Sequence, residues 1–308
     1  MENNAQLIAQ CTEKAQQWLT PAFDEATRKE VEALIASEDK TNLIECFYKD
    51  LEFGTGGLRG IMGAGSNRMN IYTVGMATQG FANYLKLNFK DKEQISVVVC
   101  HDCRNNSRLF AENVAAIFSA NGIKVYLFDD MRPTPECSFA IRHLGCQAGV
   151  NITASHNPKE YNGYKVYWED GAQLPPHHAS AIAAKMDELD IFDSIHLADY
   201  DEAVRNGMIT LIGDETDEKF LANVMAQVND PESVKKVADN FSIIFTPFHG
   251  TGYQQIPEAL KRMGMKHVVC VPEQMVIDGN FPTVASPNPE NPEGFAIAVK
   301  MAKEQNIS

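Results

Sequence analysis

At 308 residues, 44% hydrophobic and 22% charged, the chain is long enough for about two domains and has the balance of an ordinary soluble globular protein. Its 27 Lys and Arg against 41 Asp and Glu leave a net charge of −14, which argues against a non-specific nucleic-acid or anionic-membrane surface. An anion site in such a chain must gather its few cations locally, so single Arg and Lys residues near Gly-rich loops carry weight.

The first fifty residues read as helices. Leu7, Cys11, Ala15, Trp18 and Leu19 recur at helical spacing, and Pro21 ends the run. Val31, Leu34 and Ile35 mark a second amphipathic segment, and Leu43, Ile44 and Phe47 a third. From Gly54 the pattern changes to alternating strands and helices. A helix with Ile71, Val74, Thr78, Phe81 and Leu85 on one face precedes a strand over 95–100. Ser107 reads as the cap of a helix stopped by Asn121-Gly122, and strands follow over 123–128 and 147–152. After an Ala-rich helix over 179–189, the acidic stretch 193–217 reads as an interdomain connection. A second unit runs strand 241–245, loop Thr246 to Gly252, helix to Met263, strand 267–271 and a last helix from Glu293 to about Glu304. This order predicts α/β domains with helices packed on a mainly parallel or mixed sheet.

The seven cysteines, at 11, 46, 100, 103, 137, 146 and 270, form no regular framework and point to reduced thiols in a cytoplasmic protein. Cys100-His101-Asp102-Cys103 has C-x-x-C spacing, but no second pair completes a zinc site, so burial is the preferred reading. No basic, apolar leader stands at the N-terminus, and no apolar run approaches a membrane span.

Two motifs carry chemistry. Thr153-Ala154-Ser155-His156-Asn157-Pro158 places the Ser155 hydroxyl in a polar loop between two strands. The Asn162-Gly163 pair predicts a tight turn that folds Lys165 back toward that loop. His156 is adjacent to Ser155 and poorly placed as its general base, and no G-x-S-x-G elbow surrounds the serine. A hydroxyl beside a cation suits phosphate chemistry better than hydrolysis. The ordinary alternatives are a turn-forming loop serine and a solvent-facing strand lysine. Asn157 serves equally as a loop-fixing residue. In Phe53-Gly54-Thr55-Gly56-Gly57-Leu58-Arg59-Gly60, Arg59 stands where a dinucleotide fingerprint needs its third glycine. Here the glycines admit an anion to the backbone and Arg59 supplies a bidentate grip, unless the arginine is incidental to a Gly-rich turn.

The Ser155 run resembles, almost word for word, the active-serine loop of the α-D-phosphohexomutases, in the phosphoglucomutase/phosphomannomutase branch that includes phosphopentomutase-like enzymes. The resemblance extends over roughly residues 40–295. It implies mixed-sheet three-layer α/β domains in tandem behind an N-terminal helical extension. The implied units are the extension at 1–45, a first domain with the active serine at 46–205 and an incomplete second domain at 215–308. By resemblance Ser155 carries a phosphoryl group, one of whose oxygens ligates Mg²⁺. Lys165 is the acid/base, His156 stands with them as a catalytic residue, and Arg59, Thr55 and Asn157 hold phosphate.

The implied reaction is an intramolecular phosphotransfer between O1 and O6 of glucose or mannose through a sugar 1,6-bisphosphate. Glucose 1,6-bisphosphate would activate it, and a phosphorylated sugar is the expected partner, with neither nucleic acid nor membrane. A phosphopentomutase or a sugar-1,6-bisphosphate synthase would use the same serine, and a non-catalytic phosphosugar-binding module is the rival of another class. Arg104 and Ser107 resemble structural residues of the first domain's strand-to-helix turn, and His249-Gly250-Thr251-Gly252 an architectural turn of the second. One departure stands out. The family's D-x-D-x-D-R metal loop does not occur, although Asp278-Gly279-Asn280-Phe281-Pro282 resembles the segment just before it. These residues are therefore expected to be the N-terminal part of a mutase about twice this length, inactive alone.

Overall fold

Three helices come first in the computed structural model, which describes residues 2–307: α1 (Glu2–Gln16), α2 (Glu25–Ala36) and α3 (Thr41–Phe47). Their apolar faces meet around Trp18, Phe23, Val31, Leu43 and Phe47, with Trp18 and Phe23 stacked at 4.5 Å between ring centroids. Tyr72 joins this cluster from the first α/β unit, and its hydroxyl accepts from Asp24 N at 2.7 Å. The helical extension is thereby packed onto that unit.

The first α/β unit is built on six strands: β1 (Leu58–Ile61), β2 (Ser96–His101), β3 (Lys124–Phe128), β4 (Ala148–Ile152), β5 (Tyr161–Trp168) and β6 (Ile209–Ile212). Their order is β1-β5-β4-β2-β3-β6. The run β4, β2, β3, β6 is parallel, whereas β5 lies antiparallel to both its neighbours, so the sheet is mixed as expected. Strands β2 and β4 are buried on both faces, which explains why β2 reads as an apolar run without alternation. One face packs under α4 (Ile71–Asn88), α5 (Ser107–Ala120) and, further along the chain, a helix over Pro176–Met186; its core includes Val97, Val99, Val150 and Tyr164. The other packs under α6 (Thr134–His143) through Val98, Cys100 and Ile141. This gives three layers, the helix Pro176–Met186 being α7.

Two sequence readings change. The stretch 193–217, expected as a connection, carries α8 (Tyr200–Arg205) and β6, which pairs with β3 from Val125↔Ile209 to Phe128↔Ile212. A four-residue strand between charged flanks offers too little periodicity to read. The helix expected to be capped by Ser107 is instead preceded by Asn106 at φ +62°, a conformation asparagine tolerates. Ser107 begins the helix and donates its Oγ to Asp102 Oδ1 at 2.7 Å.

The remaining elements are α9 (Asp214–Met225), α10 (Pro231–Val237), β7 (Ser242–Phe245), α11 (Gln255–Arg262), β8 (His267–Cys270), α12 (Pro272–Met275) and α13 (Ala296–Glu304). Strands β7 and β8 pair in parallel, with α11 in the crossover that parallel pairing requires. This second unit touches the first through Tyr253, whose hydroxyl donates to Asp130 Oδ2 at 3.0 Å.

Beside that contact, buried Arg132 donates to Asp217 through Nε at 2.7 Å and Nη2 at 2.9 Å. Glu136 is wholly buried against the same aspartate. Burial first, and then the neighbouring Asp217 carboxylate, push its carboxyl up to about 9, against the opposing pull of Arg132. The folded chain therefore keeps a proton that the unfolded chain releases near the usual value of 4.5. Its stabilising effect is complete below 4.5, falls as pH rises and is gone above about 9. Urea midpoints should accordingly drop between pH 5.5 and 8.5, and Glu136→Gln, which keeps a donor toward Asp217 but does not ionise, should flatten that slope. An unchanged slope in the variant would remove Glu136 as the cause.

Candidate active site

β4 ends at Ile152, and a loop carries the chain through Ser155 before β5 returns antiparallel to it. Ser155 has φ +56°, a strained conformation for a residue with a Cβ, so its surroundings must hold it there. Arg104 does most of that. Its guanidinium, 3% exposed, donates to the carbonyl oxygens of Ser155 at 2.9 Å, Pro158 at 2.8 Å and Tyr161 at 3.0 Å, and also to that of Asn157. The Arg104 Nε lies 3.4 Å from Asp102 Oδ2, while Asp102 Oδ1 accepts from Arg104 N and Ser107 Oγ. Thr153 Oγ1 accepts from Ser155 N at 3.0 Å. The main chain is fixed and the Ser155 side chain stays exposed. Its Oγ is 3.3 Å from His156 Nδ1, long for a hydroxyl donor, so the pair does not make a preformed nucleophile and base.

Lys165 reaches the site by another route than expected. Asn162 and Gly163 lie inside β5, opposite Gly60 and Arg59, rather than in a turn. Gly163 is needed for close passage: a Cβ there would meet Thr153 O at 2.5 Å and Leu58 O at 3.1 Å. The buried Asn162 amide donates to Ser107 Oγ at 2.9 Å, and its Oδ1 accepts from Gly163 N at 2.8 Å. Strand register does what the turn was expected to do. Lys165 pairs with Asn151 on β4, just ahead of the serine loop. The Arg59↔Gly163 pairing puts Arg59 on the same sheet face as Lys165.

Half-buried Lys165 has its pKa lowered by burial first and by the Arg59 charge second, with Asp102 partly offsetting both. The register thus sets Lys165 and Arg59 on one face of the sheet from which the Ser155 loop leaves. Thr55 sits exposed at the tip of a turn in which Gly54 N and Gly57 N each donate to the other's carbonyl, at 3.0 and 2.9 Å. Gly57 has φ +90°, and a Cβ there would overlap Tyr164 O at 1.8 Å, so this turn is pinned to β5. Asn157 takes part through its backbone: its N donates to Ala154 O and its O accepts from Arg104.

Among the described residues, no three His, Cys, Asp or Glu side chains converge to hold a metal ion. Asp102, beneath the loop, is already taken by Arg104 and Ser107. The residues present do not fit Mg²⁺, which demands near-octahedral oxygen coordination. Cys100 is buried and Cys103 half-buried, and all seven thiols are free. Sequence reasoning named Arg104 only as part of a turn and missed its hold on the serine loop. The signal was there in a strand ending in Asp102-Cys103-Arg104-Asn105-Asn106, dense in turn formers around one arginine.

The family model for phosphoglucomutase/phosphomannomutase α/β/α domain I matches residues 50–191, and that for domain II matches residues 218–308. The chain belongs to the α-D-phosphohexomutase superfamily. Within the superfamily it is 37% identical to the human phosphopentomutase over 313 residues, covering 95% of this chain and 49% of that protein. It is 38% identical over 260 residues to a phosphoglucomutase of Staphylococcus haemolyticus, covering 84% of this chain and 45% of the relative. The fold matches a phosphoglucomutase/phosphomannomutase family protein of Burkholderia thailandensis with a TM-score of 0.58 at 17% identity, over 84% of this chain and 50% of that one. It also matches the Paramecium parafusin structure in its open form, with a TM-score of 0.60 at 19% identity, over 83% of this chain and 48% of that one. The chain spans about half the length of the curated relatives it matches. No helix among the described residues is long and apolar enough to cross a membrane.

Proposed function

We propose that the protein is a cytoplasmic phosphosugar mutase in which Ser155 carries the transferred phosphoryl group. The observation that carries this reading is the exposed Ser155 hydroxyl on an arginine-held loop, beside the Lys165 and Arg59 face. In the forward step a sugar hydroxyl attacks the phosphorus on Ser155. The new sugar O–P bond forms as the Ser155 Oγ–P bond breaks, and the sugar hydroxyl proton passes by way of Lys165 to the leaving Ser155 Oγ. In the return step Ser155 Oγ attacks the other phosphate of the sugar bisphosphate, and its proton passes by way of Lys165 to the leaving sugar oxygen. Arg59 offsets charge on the equatorial oxygens, the main demand in phosphoryl transfer.

Glucose or mannose 1- and 6-phosphates are the substrates in this reading, with glucose 1,6-bisphosphate as activator. Mg²⁺ would supply further charge neutralisation in the whole protein, and of the present residues only phospho-Ser155 would contribute to holding it. Thr55, His156 and Asn157 would orient phosphate. The relatives named phosphopentomutase favour a second reading, a pentose 1- and 5-phosphate pair acted on by the same serine. Mass spectrometry after treatment of the full-length protein with glucose 1,6-bisphosphate should place phosphate on Ser155. Phosphate found only elsewhere would sink the proposal, and parallel turnover assays with hexose and pentose 1-phosphates separate the two substrate readings.

A further inference from the structure

The second unit meets the turn that holds the serine loop through a loop of its own, 276–284. That loop is fixed from within. His249, 1% exposed, engages Val276 O through Nδ1 at 2.6 Å and Thr283 Oγ1 through Nε2 at 2.8 Å. Fully buried Gln274 donates to Thr283 Oγ1 at 3.1 Å and to Gly294 O at 3.2 Å. The loop is seated against the turn that contains Arg104. A Cβ on Gly279 would strike Asn105 N at 2.5 Å and Cys103 O at 2.9 Å, and Asn105 Nδ2 donates to Asn280 Oδ1 at 3.1 Å. At its apex Phe281, 5% exposed and held at φ +51°, lays its ring 5.4 Å from the Arg104 guanidinium carbon.

From these contacts we infer that Phe281 is a positioning residue for the nucleophile: its ring fixes the Arg104 guanidinium, and Arg104 in turn sets the Ser155 loop. Arg104 spends its donors on four carbonyls of that loop, so a small swing of the guanidinium loosens all of them together. A ring face restrains a cation without competing for those donors, which another carboxylate in the same place would do. His249 and Gln274 then have a purpose beyond architecture, because they hold the loop that presents the ring. The second unit thereby governs the order of the nucleophile in the first. The inference rests on Ser155 being the nucleophile for its catalytic meaning, but the loop coupling itself can be measured without any turnover.

Hydrogen exchange followed by mass spectrometry tests it on the whole protein. Phe281→Leu keeps an apolar side chain but removes the ring, and should speed exchange of amides 155–157 and 159–161 roughly thirtyfold, the size of a desolvated cation–π contact. Phe281→Tyr, which keeps the ring, should stay near the wild type. Amides of β2 and β3 should be unaffected in both. In ¹⁵N spectra the Arg104 Nε–H proton should move on loss of the ring current in Phe281→Leu and hold its place in Phe281→Tyr. Unchanged loop exchange in Phe281→Leu overturns the proposal. So does equal acceleration in Phe281→Tyr, or acceleration spread evenly through β2 and β3. Should Phe281→Leu fail to fold, Asn280→Ala removes the Asn105 contact beside it and must loosen the same amides selectively, or the proposal falls. Failure of Ser155 to accept phosphate would refute the functional reading and leave this loop coupling intact, so the two failures are distinguishable.

Discussion

Lys165→Ala in the full-length protein is expected to lower kcat by roughly 10²–10⁴-fold, the usual loss for a positioned proton-transfer group. The lysine is half-buried on β5 with Arg59 on the same face, and burial followed by that like charge lowers its pKa. Its neutral form is therefore easier to reach than that of an ordinary surface lysine. Substrate binding should change far less than kcat. The limb of the wild-type pH profile that rises as Lys165 loses its proton should disappear in the variant. Steady-state kinetics across pH decides the matter, since a solvated strand lysine would leave both kcat and the profile untouched.

Arg104→Met should cost about 3–5 kcal/mol of stability, because it leaves the Asp102 carboxylate and four loop carbonyls without their shared partner. Phosphate uptake at Ser155 should fall with it, since the φ +56° conformation has nothing else of comparable reach to hold it. Arg104→Lys keeps the charge but cannot span the same acceptors with a compact ammonium, so it should fall between wild type and Arg104→Met. Urea denaturation and phosphoserine quantification measure the two effects. A fully stable Arg104→Met variant would mean that the loop is held by Thr153 and the strands alone.

Strand β2 was legible because its unbroken Val97-Val98-Val99 run has few other readings. β6 was not, because Ile209–Ile212 is short and its partner β3 lies far back in the sequence. The serine motif was legible as chemistry, but its geometry was misjudged at Asn162-Gly163. That dipeptide reads as a turn when only local preference is considered; here the missing Cβ serves passage beside Thr153 O, a tertiary demand. Phe281 carried no chemical signal at all. An aromatic residue in a Pro- and Asn-rich loop is silent until the fold brings a guanidinium to its face.

Arg104 grips the serine loop wholly by main-chain oxygens. Every residue type presents the same carbonyl, so the grip is indifferent to which side chains the loop displays. Positions 156, 157, 159 and 160 can therefore change identity while the hydroxyl keeps its place, separating the geometry of attack from recognition of what is attacked. If Ser155 is the nucleophile as proposed, this division lets the side chains of the loop change without redesign of the scaffold that aims the hydroxyl.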